Sequence, residues 1–265
     1  MYKMRLKTKI KLFLYLLLIV IALFNYNKVD SFVTKQLDGS DYVTVSRIVD
    51  GDTFKDESGN SIRMLGINTP EKKEKYSDLG ASNLERLILN QTVRLEYGKD
   101  KKDMYGRTLA YVYLDSVNVN LNQVENGYAN AYFPSGHDTH YNDFMNAWKK
   151  CVDNNINFCK KSSDKCASCI ELTLFDNKNE ITEFTNNCDF SCSLEGWNIK
   201  DEGRKRYTFG NIILEANAKV QVIVGNKTNH DNIFYWSGED YVWTEGGDTL
   251  FLRDKNYELV LWKSY

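Results

Sequence analysis

The chain has only two prolines, Pro70 and Pro134, in 265 residues, and neither an internal repeat nor a low-complexity tract. That excludes a repeat array or a proline-rich spacer. Excess charge is also missing: 34 lysines and arginines stand against 36 aspartates and glutamates. No global basic field gathers nucleic acid, so any anion site must be local. Nor is there an apolar run of the ~20 residues a bilayer core needs. Leu12–Phe24 (LFLYLLLIVIALF) is 13 residues long and follows five basic residues among the first 11. The pattern predicts an export leader in residues 1–30, with its basic flank cytoplasmic and residues 30–265 exported. No Ala-x-Ala site follows Phe24. Cleavage, giving a secreted protein, and retention as a short membrane anchor are therefore both open.

Cysteine is absent outside residues 151–192, where six occur: Cys151, Cys159, Cys166, Cys169, Cys188 and Cys192. An even number in an exported chain predicts disulfides, with Cys188–Cys192 a plausible local pair. The competing reading is zinc, because Cys166-x2-Cys169 and Cys188-x3-Cys192 approach the spacing of two zinc knuckles.

The length fits two modest domains. Residues 42–49, TFKDE and SIRMLGI read as strands, the last two joined by a Ser58-Gly59-Asn60 hairpin turn. A helix is expected over 77–90, capped by Ser77 or Asp78. TVRLEY and RTLAYVYL are further strands, separated by the charged loop GKDKKDMYG. Helices over about 119–127 and 138–154 complete a first domain at 40–158. Five short strands with inserted and appended helices suit an OB-fold barrel. Residues 159–168 read as a cysteine-rich linker. Beyond it, about eight short strands punctuated by Gly, Asn and Asp predict a β-sandwich over 169–265. The fold class is mainly β.

Three stretches of the first domain carry chemistry. In VDGDTF, Asp50 and Asp52 share one strand face, and such paired carboxylates make a site for a hard cation, Ca²⁺ or Mg²⁺. In RMLGINTPE, Asn68 offers an amide oxygen and Thr69 a carbonyl as further ligands. Pro70 stiffens the turn. Glu71 can take a proton from water, and Arg63 can fork onto phosphate oxygens. Strict alternation sets Arg63 and Asn68 on opposite faces, so a bulge near Gly66 is expected to re-aim one of them. In DMYGRTLAYVY, Arg107 supplies a second guanidinium and Tyr105 a phosphate or base contact. Lys99, Lys101 and Lys102 form a local basic patch.

DGDTF, RMLGINTPE and YGRTLAY, in that order and spacing over residues 42–158, closely resemble the staphylococcal nuclease (thermonuclease) family. The resemblance implies an OB-fold, Ca²⁺-dependent endonuclease acting on DNA and RNA. By position it makes Arg63, Glu71 and Arg107 catalytic and Asp52, Asn68 and Thr69 metal ligands. Tyr105 becomes a substrate contact. GYANAYFPSG (127–136) stands in place of a tyrosine-bearing family loop, and for its Tyr132 a base-stacking ring and a packed core residue are both open. Asn68 stands where the best-known members have an aspartate, which implies weaker cation binding. Met104 stands where a lysine is common.

CDFSCSLEGWNIKDEGRKRYTF and GGDTLFLRD resemble a lamin-tail domain, an immunoglobulin-like sandwich. It carries no catalytic cluster, and its expected role is binding or tethering to an unidentified ligand. Trp197, Trp236, Trp243 and Trp262 read as core, and His230, Asp231, Asp240 and Asp248 as structural or solvated. The competing reading of the first domain is a catalytically silent nucleic-acid-binding OB module in an envelope-associated protein.

Overall fold

The computed structural model describes Lys11, Leu14, Tyr15 and residues 41–265. The leader predicted over residues 1–30 otherwise lies outside the described residues. Among those described, no helix is long and apolar enough to cross a membrane. Val43–Tyr265 forms one compact unit.

The first region starts with β1 (Asp41–Ile48), β2 (Thr53–Asp56), β3 (Ser61–Met64) and β4 (Ile67–Asn68). Then come α1 (Ser77–Ile88), β5 (Thr92–Lys102), β6 (Thr108–Leu114), β7 (Val117–Asn118), α2 (Val119–Glu125), β8 (Asn130–Ala131) and α3 (Tyr141–Asn154). The sheet runs β3-β2-β1-β5-β6, and β3 also pairs with β6, closing a five-stranded barrel. Alternating apolar residues such as Val45, Phe54, Ile62, Leu95 and Val112 fill it, because successive strand side chains point to opposite faces.

Two local expectations are corrected. The cap of α1 is neither Ser77 nor Asp78: Tyr76, with a left-handed backbone and no capping hydrogen bond, precedes it. The charged loop after Tyr97 is shorter than expected, because β5 runs on to Lys102 beside β6, with a register shift. Backbone pairing to Thr108 outweighs the low strand preference of Gly-Lys-Asp-Lys.

The second region comprises β9 (Ile170–Asp176), β10 (Ile181–Asn186), β11 (Cys192–Ser193), β12 (Asn198–Lys200) and β13 (Arg206–Thr208). It continues with β14 (Ile213–Leu214), β15 (Lys219–Val224), β16 (Ile233–Trp236), β17 (Thr249–Arg253) and β18 (Leu259–Ser264). Sheets β16-β15-β10-β9 and β13-β12-β17-β18 form the sandwich, with Trp197, Trp236 and Trp243 buried between them. Trp262 instead packs toward the barrel, its ring centroid 6.2 Å from that of Trp148 on α3.

Barrel and sandwich share apolar packing. Phe251 and Leu259 belong to the barrel's core cluster, and Phe251 meets Trp148 edge-on at 5.2 Å. Arg253 is fully buried, its guanidinium 3.6 Å from the Phe158 ring centre. Its Nη1 donates to the Phe158 carbonyl at 2.7 Å. The residues after Cys159 are tied down as well: the amide of Ser162 donates to the Leu259 carbonyl.

The cysteines pair as Cys151–Cys159, Cys166–Cys192 and Cys169–Cys188. The expected Cys188–Cys192 pair is therefore wrong. Cys192 opens β11, and although its Sγ is 3.7 Å from that of Cys188, each sulfur is bonded across to the 166–169 turn.

Candidate active site

Asp50 and Asp52 lie in the turn before β2 rather than on a strand face. Gln123 of α2 holds that turn, donating from Nε2 to the carbonyls of Gly51 (2.6 Å) and Gly80 (3.0 Å). A Cβ on Gly51 would fall 2.8 Å from Thr69 Cγ2, so only glycine lets the two segments approach this closely.

The Asp52 carboxylate is the hub. Its Oδ1 accepts from Thr53 Oγ1 at 2.9 Å and faces Arg63 Nε at 3.2 Å. Its Oδ2 accepts from the Thr69 amide at 3.0 Å and the Thr69 hydroxyl at 2.8 Å. Asp50 Oδ1 accepts from the Asp52 amide. Burial first, and then the Asp52 charge, raise the Asp50 pKa. A half-buried and a buried carboxylate thus lie side by side, and Arg63 supplies the positive charge they face.

Arg63 is only 9% exposed. Its remaining nitrogens donate to the carbonyls of Met64 and Ile67. The re-aiming expected near Gly66 takes the form of a turn, with Gly66 at φ +73°. A Cβ there would press on Phe144 and Tyr111 at 3.1–3.2 Å. Asn120 of α2 braces the turn through the Leu65 carbonyl at 2.8 Å. The chain thereby leaves the barrel sheet at Met64 and pairs as β4 with β8. Arg63 stays in the barrel wall and faces Asp52 Oδ1, while Thr69, beyond the turn, reaches Asp52 Oδ2.

Tyr132 follows β8, and its amide donates to the Gly66 carbonyl. Burial raises its pKa, while the positive charge of Arg63 opposes that rise. Arg107 enters β6 two residues before Leu109, the register partner of Arg63. It is paired with Asp103 at 2.6 Å and stands over the Tyr105 ring at 5.6 Å. Tyr105 and Met104 are open to solvent, 77% and 89% exposed. Asp52, Arg63, Thr69 and Tyr132 are therefore gathered together, whereas Arg107 and Tyr105 sit at the barrel's rim on a neighbouring strand entrance.

The surroundings of Asn68 and Glu71 were not foreseen. The β12–β13 turn of the sandwich lies against both. Asn68 Nδ2 donates to the carbonyls of Glu202 (3.3 Å) and Gly203 (2.8 Å). Glu71 pairs with Arg204 at 2.7 Å. The only trace in the sequence is the charged hairpin KDEGRK, which carries no mark of facing another domain.

Four oxygen groups near this turn could serve as ligands of a divalent cation. Asp50, Asp52, the Asn68 Oδ1 and the Thr69 carbonyl are all oxygens, the ligand type hard cations take. The Asp52 carboxylate already faces Arg63 and accepts from Thr53 and Thr69, so a cation bound here would have to share it with those groups.

The sequence profile described as Staphylococcal nuclease homologue matches residues 61–161, and that of the Lamin Tail Domain matches residues 162–265. The chain is 33% identical to a thermonuclease of Staphylococcus intermedius over 132 residues, 46% of this chain and 78% of that protein. It is 41% identical to a thermonuclease of Staphylococcus hyicus over 98 residues, 34% of this chain and 58% of that one. An uncharacterized endonuclease of Haemophilus influenzae is 37% identical over 101 residues, 37% of this chain and 56% of that protein. The aligned segments thus span little more than half of the latter two relatives.

Proposed function

Since the chain belongs to the staphylococcal nuclease family and carries a lamin tail domain, we propose that it is a nuclease hydrolysing phosphodiester bonds of DNA or RNA. The observation that carries this reading is the buried assembly of Asp52, Arg63 and Thr69, with Tyr132 beside it. A silent binding module needs no buried carboxylate–guanidinium centre, since backbone binding runs on exposed cations and aromatic rings.

In this reading Arg63 and Arg107 clamp the phosphate and meet the charge that builds on its oxygens in the transition state. Glu71 accepts the proton of the attacking water. Tyr105 and Tyr132 contact the nucleotides. Asp52, Asn68 and the Thr69 carbonyl would hold Ca²⁺, which when bound would supply polarisation of the phosphoryl oxygen.

Export is part of the same proposal. The basic flank, the 13-residue apolar run and three disulfides support an extracytoplasmic protein, secreted or held to the membrane by its leader. A binding or tethering role for the lamin tail domain belongs to this proposal too.

The test is plasmid and RNA degradation with Ca²⁺ or EDTA. Cleavage that needs Ca²⁺ supports the reading, EDTA-insensitive cleavage removes the metal role, and binding without cleavage leaves the silent OB module.

A further inference from the structure

The second domain contributes a side chain to the site of the first. The turn Asp201–Lys205 is held like a piece of core. Glu202 is 6% exposed. Its carbonyl accepts from Asn68 Nδ2 and from Asn130 Nδ2 at 2.8 Å, and its Oε1 accepts from the Phe133 amide at 2.7 Å. The carbonyl of Gly203 accepts from Asn68 Nδ2 at 2.8 Å and from Lys200 Nζ. A Cβ on Gly203 would stand 3.4 Å from the Tyr132 ring, so the turn touches that ring as well.

Arg204, at the tip of the turn, differs from its neighbours. Its side chain is 70% exposed and, among the described residues, its ion pair is with Glu71, itself 51% exposed. Such an exposed pair contributes little, because both charges stay solvated and screened. Each buried hydrogen bond below it is far more costly to leave unmade, because its partners would lose water without gaining a replacement. That difference decides between two roles. A lid would have to break several buried bonds to open, whereas the Arg204 guanidinium has only to exchange one weak partner for another. The platform is rigid and its tip is free to turn.

We propose that Arg204 is a substrate-binding residue of the nuclease site, a third guanidinium that leaves Glu71 to bind a backbone phosphate next to the scissile one. The site chemistry favours this exchange, because a phosphate accepts two parallel N–H bonds from a guanidinium. It also frees the Glu71 carboxylate at the moment when substrate arrives. The inference rests on the nuclease reading, and it gives the lamin tail domain a part in the site through the turn beside Asn68 and Glu71.

The experiment compares wild type, Arg204→Ala and Arg204→Lys by steady-state cleavage of single-stranded DNA. It adds the salt dependence of binding to a phosphorothioate oligothymidylate, which resists hydrolysis. Because Arg204 is exposed, both variants are expected to fold, and circular dichroism checks this. Arg204→Ala is expected to raise KM about tenfold, with kcat within a factor of about two. Its binding should lose about 0.7 from the slope of log K against log salt, the share of one phosphate. Arg204→Lys should recover the slope and part of the KM. A higher kcat in Arg204→Ala at unchanged KM would overturn the proposal and make Arg204 a brake on Glu71. Unchanged KM and slope would overturn it too, leaving a surface ion pair. If wild type binds without cleaving, the nuclease reading fails, while the slope still tests Arg204.

Discussion

Asn68 on the barrel donates from Nδ2 to the carbonyl of Gly203 on the sandwich at 2.8 Å. The amide in place of a carboxylate is thus a docking group between domains. An aspartate there would set its charge against two carbonyl oxygens, those of Glu202 and Gly203. Asn68→Asp is therefore expected to cost about 2 kcal/mol and lower Tm by about 5 °C. Added Ca²⁺ should recover part of that loss. Thermal unfolding with and without Ca²⁺ reads both effects, and a variant of higher Tm in EDTA would refute the docking role.

The roles proposed for Arg63, Glu71 and Arg107 predict a common kinetic loss. Arg63→Lys, Glu71→Gln and Arg107→Ala should each lower kcat by about two orders of magnitude. Glu71 and Arg107 lie at the rim, so their variants should keep wild-type melting. Single-turnover cleavage rates check this, and full activity in Glu71→Gln would remove it as the base.

Stability should fall toward alkaline pH. Burial pushes Asp201 up to about 7 and Glu202 up to about 8, with Asp248 adding repulsion to both and Lys200 opposing it. A folded-state pKa above the unfolded value gives stability that is complete below about pH 4 and lost as pH rises through the folded pKa. Burial also lowers buried Lys200 to about 8, a penalty that eases above that pH. The carboxylates are therefore expected to dominate from pH 5 to 8, each costing at most about 1.4 kcal/mol per pH unit. Denaturant midpoints should drop across this range in wild type and flatten in Glu202→Gln.

Barrel and sandwich should melt together. Phe251→Ala removes the edge contact to Trp148 and should cost about 3–5 kcal/mol. Calorimetry is expected to show a single transition for residues 43–265 in both proteins, the variant's at lower temperature. Two separate transitions in wild type would count against the shared packing.

The Cys151–Cys159 bridge closes a separation of 8 residues. The paired variant Cys151→Ser/Cys159→Ser should lose about 2.5 kcal/mol. Peptide mapping without reductant should recover Cys166 with Cys192 and Cys169 with Cys188. Stoichiometric zinc in the purified protein would instead favour the knuckle reading.

Much of this was legible in the residues. Alternation in YVTVSRIV and RTLAYVYL announces barrel strands, and the 3.6-residue spacing of Phe144, Ala147, Trp148 and Cys151 announces α3. DGDTF and RMLGINTPE proved to be spatial neighbours because Asp52 bonds Thr69 and faces Arg63. The strand length of β5 and the cap of α1 were not legible, since tertiary pairing decides them. Nor was the partner of Asn68, because one asparagine reads alike as ligand, cap or docking group. Arg204 was hidden for the same reason: charge in a hairpin says nothing of what it faces.

Gly66 is the joint of the site. On one side of it Arg63 belongs to the barrel wall, and on the other Asn68 belongs to the small β4–β8 ribbon, with Thr69 directly after it. A shear between those two sheets would change the spacing between the Arg63 guanidinium and the Asn68 and Thr69 oxygens with no side chain altering its rotamer. The separation of the two halves is thus inherited from sheet geometry, and redesign of this centre has to start from backbone at residues 65–67.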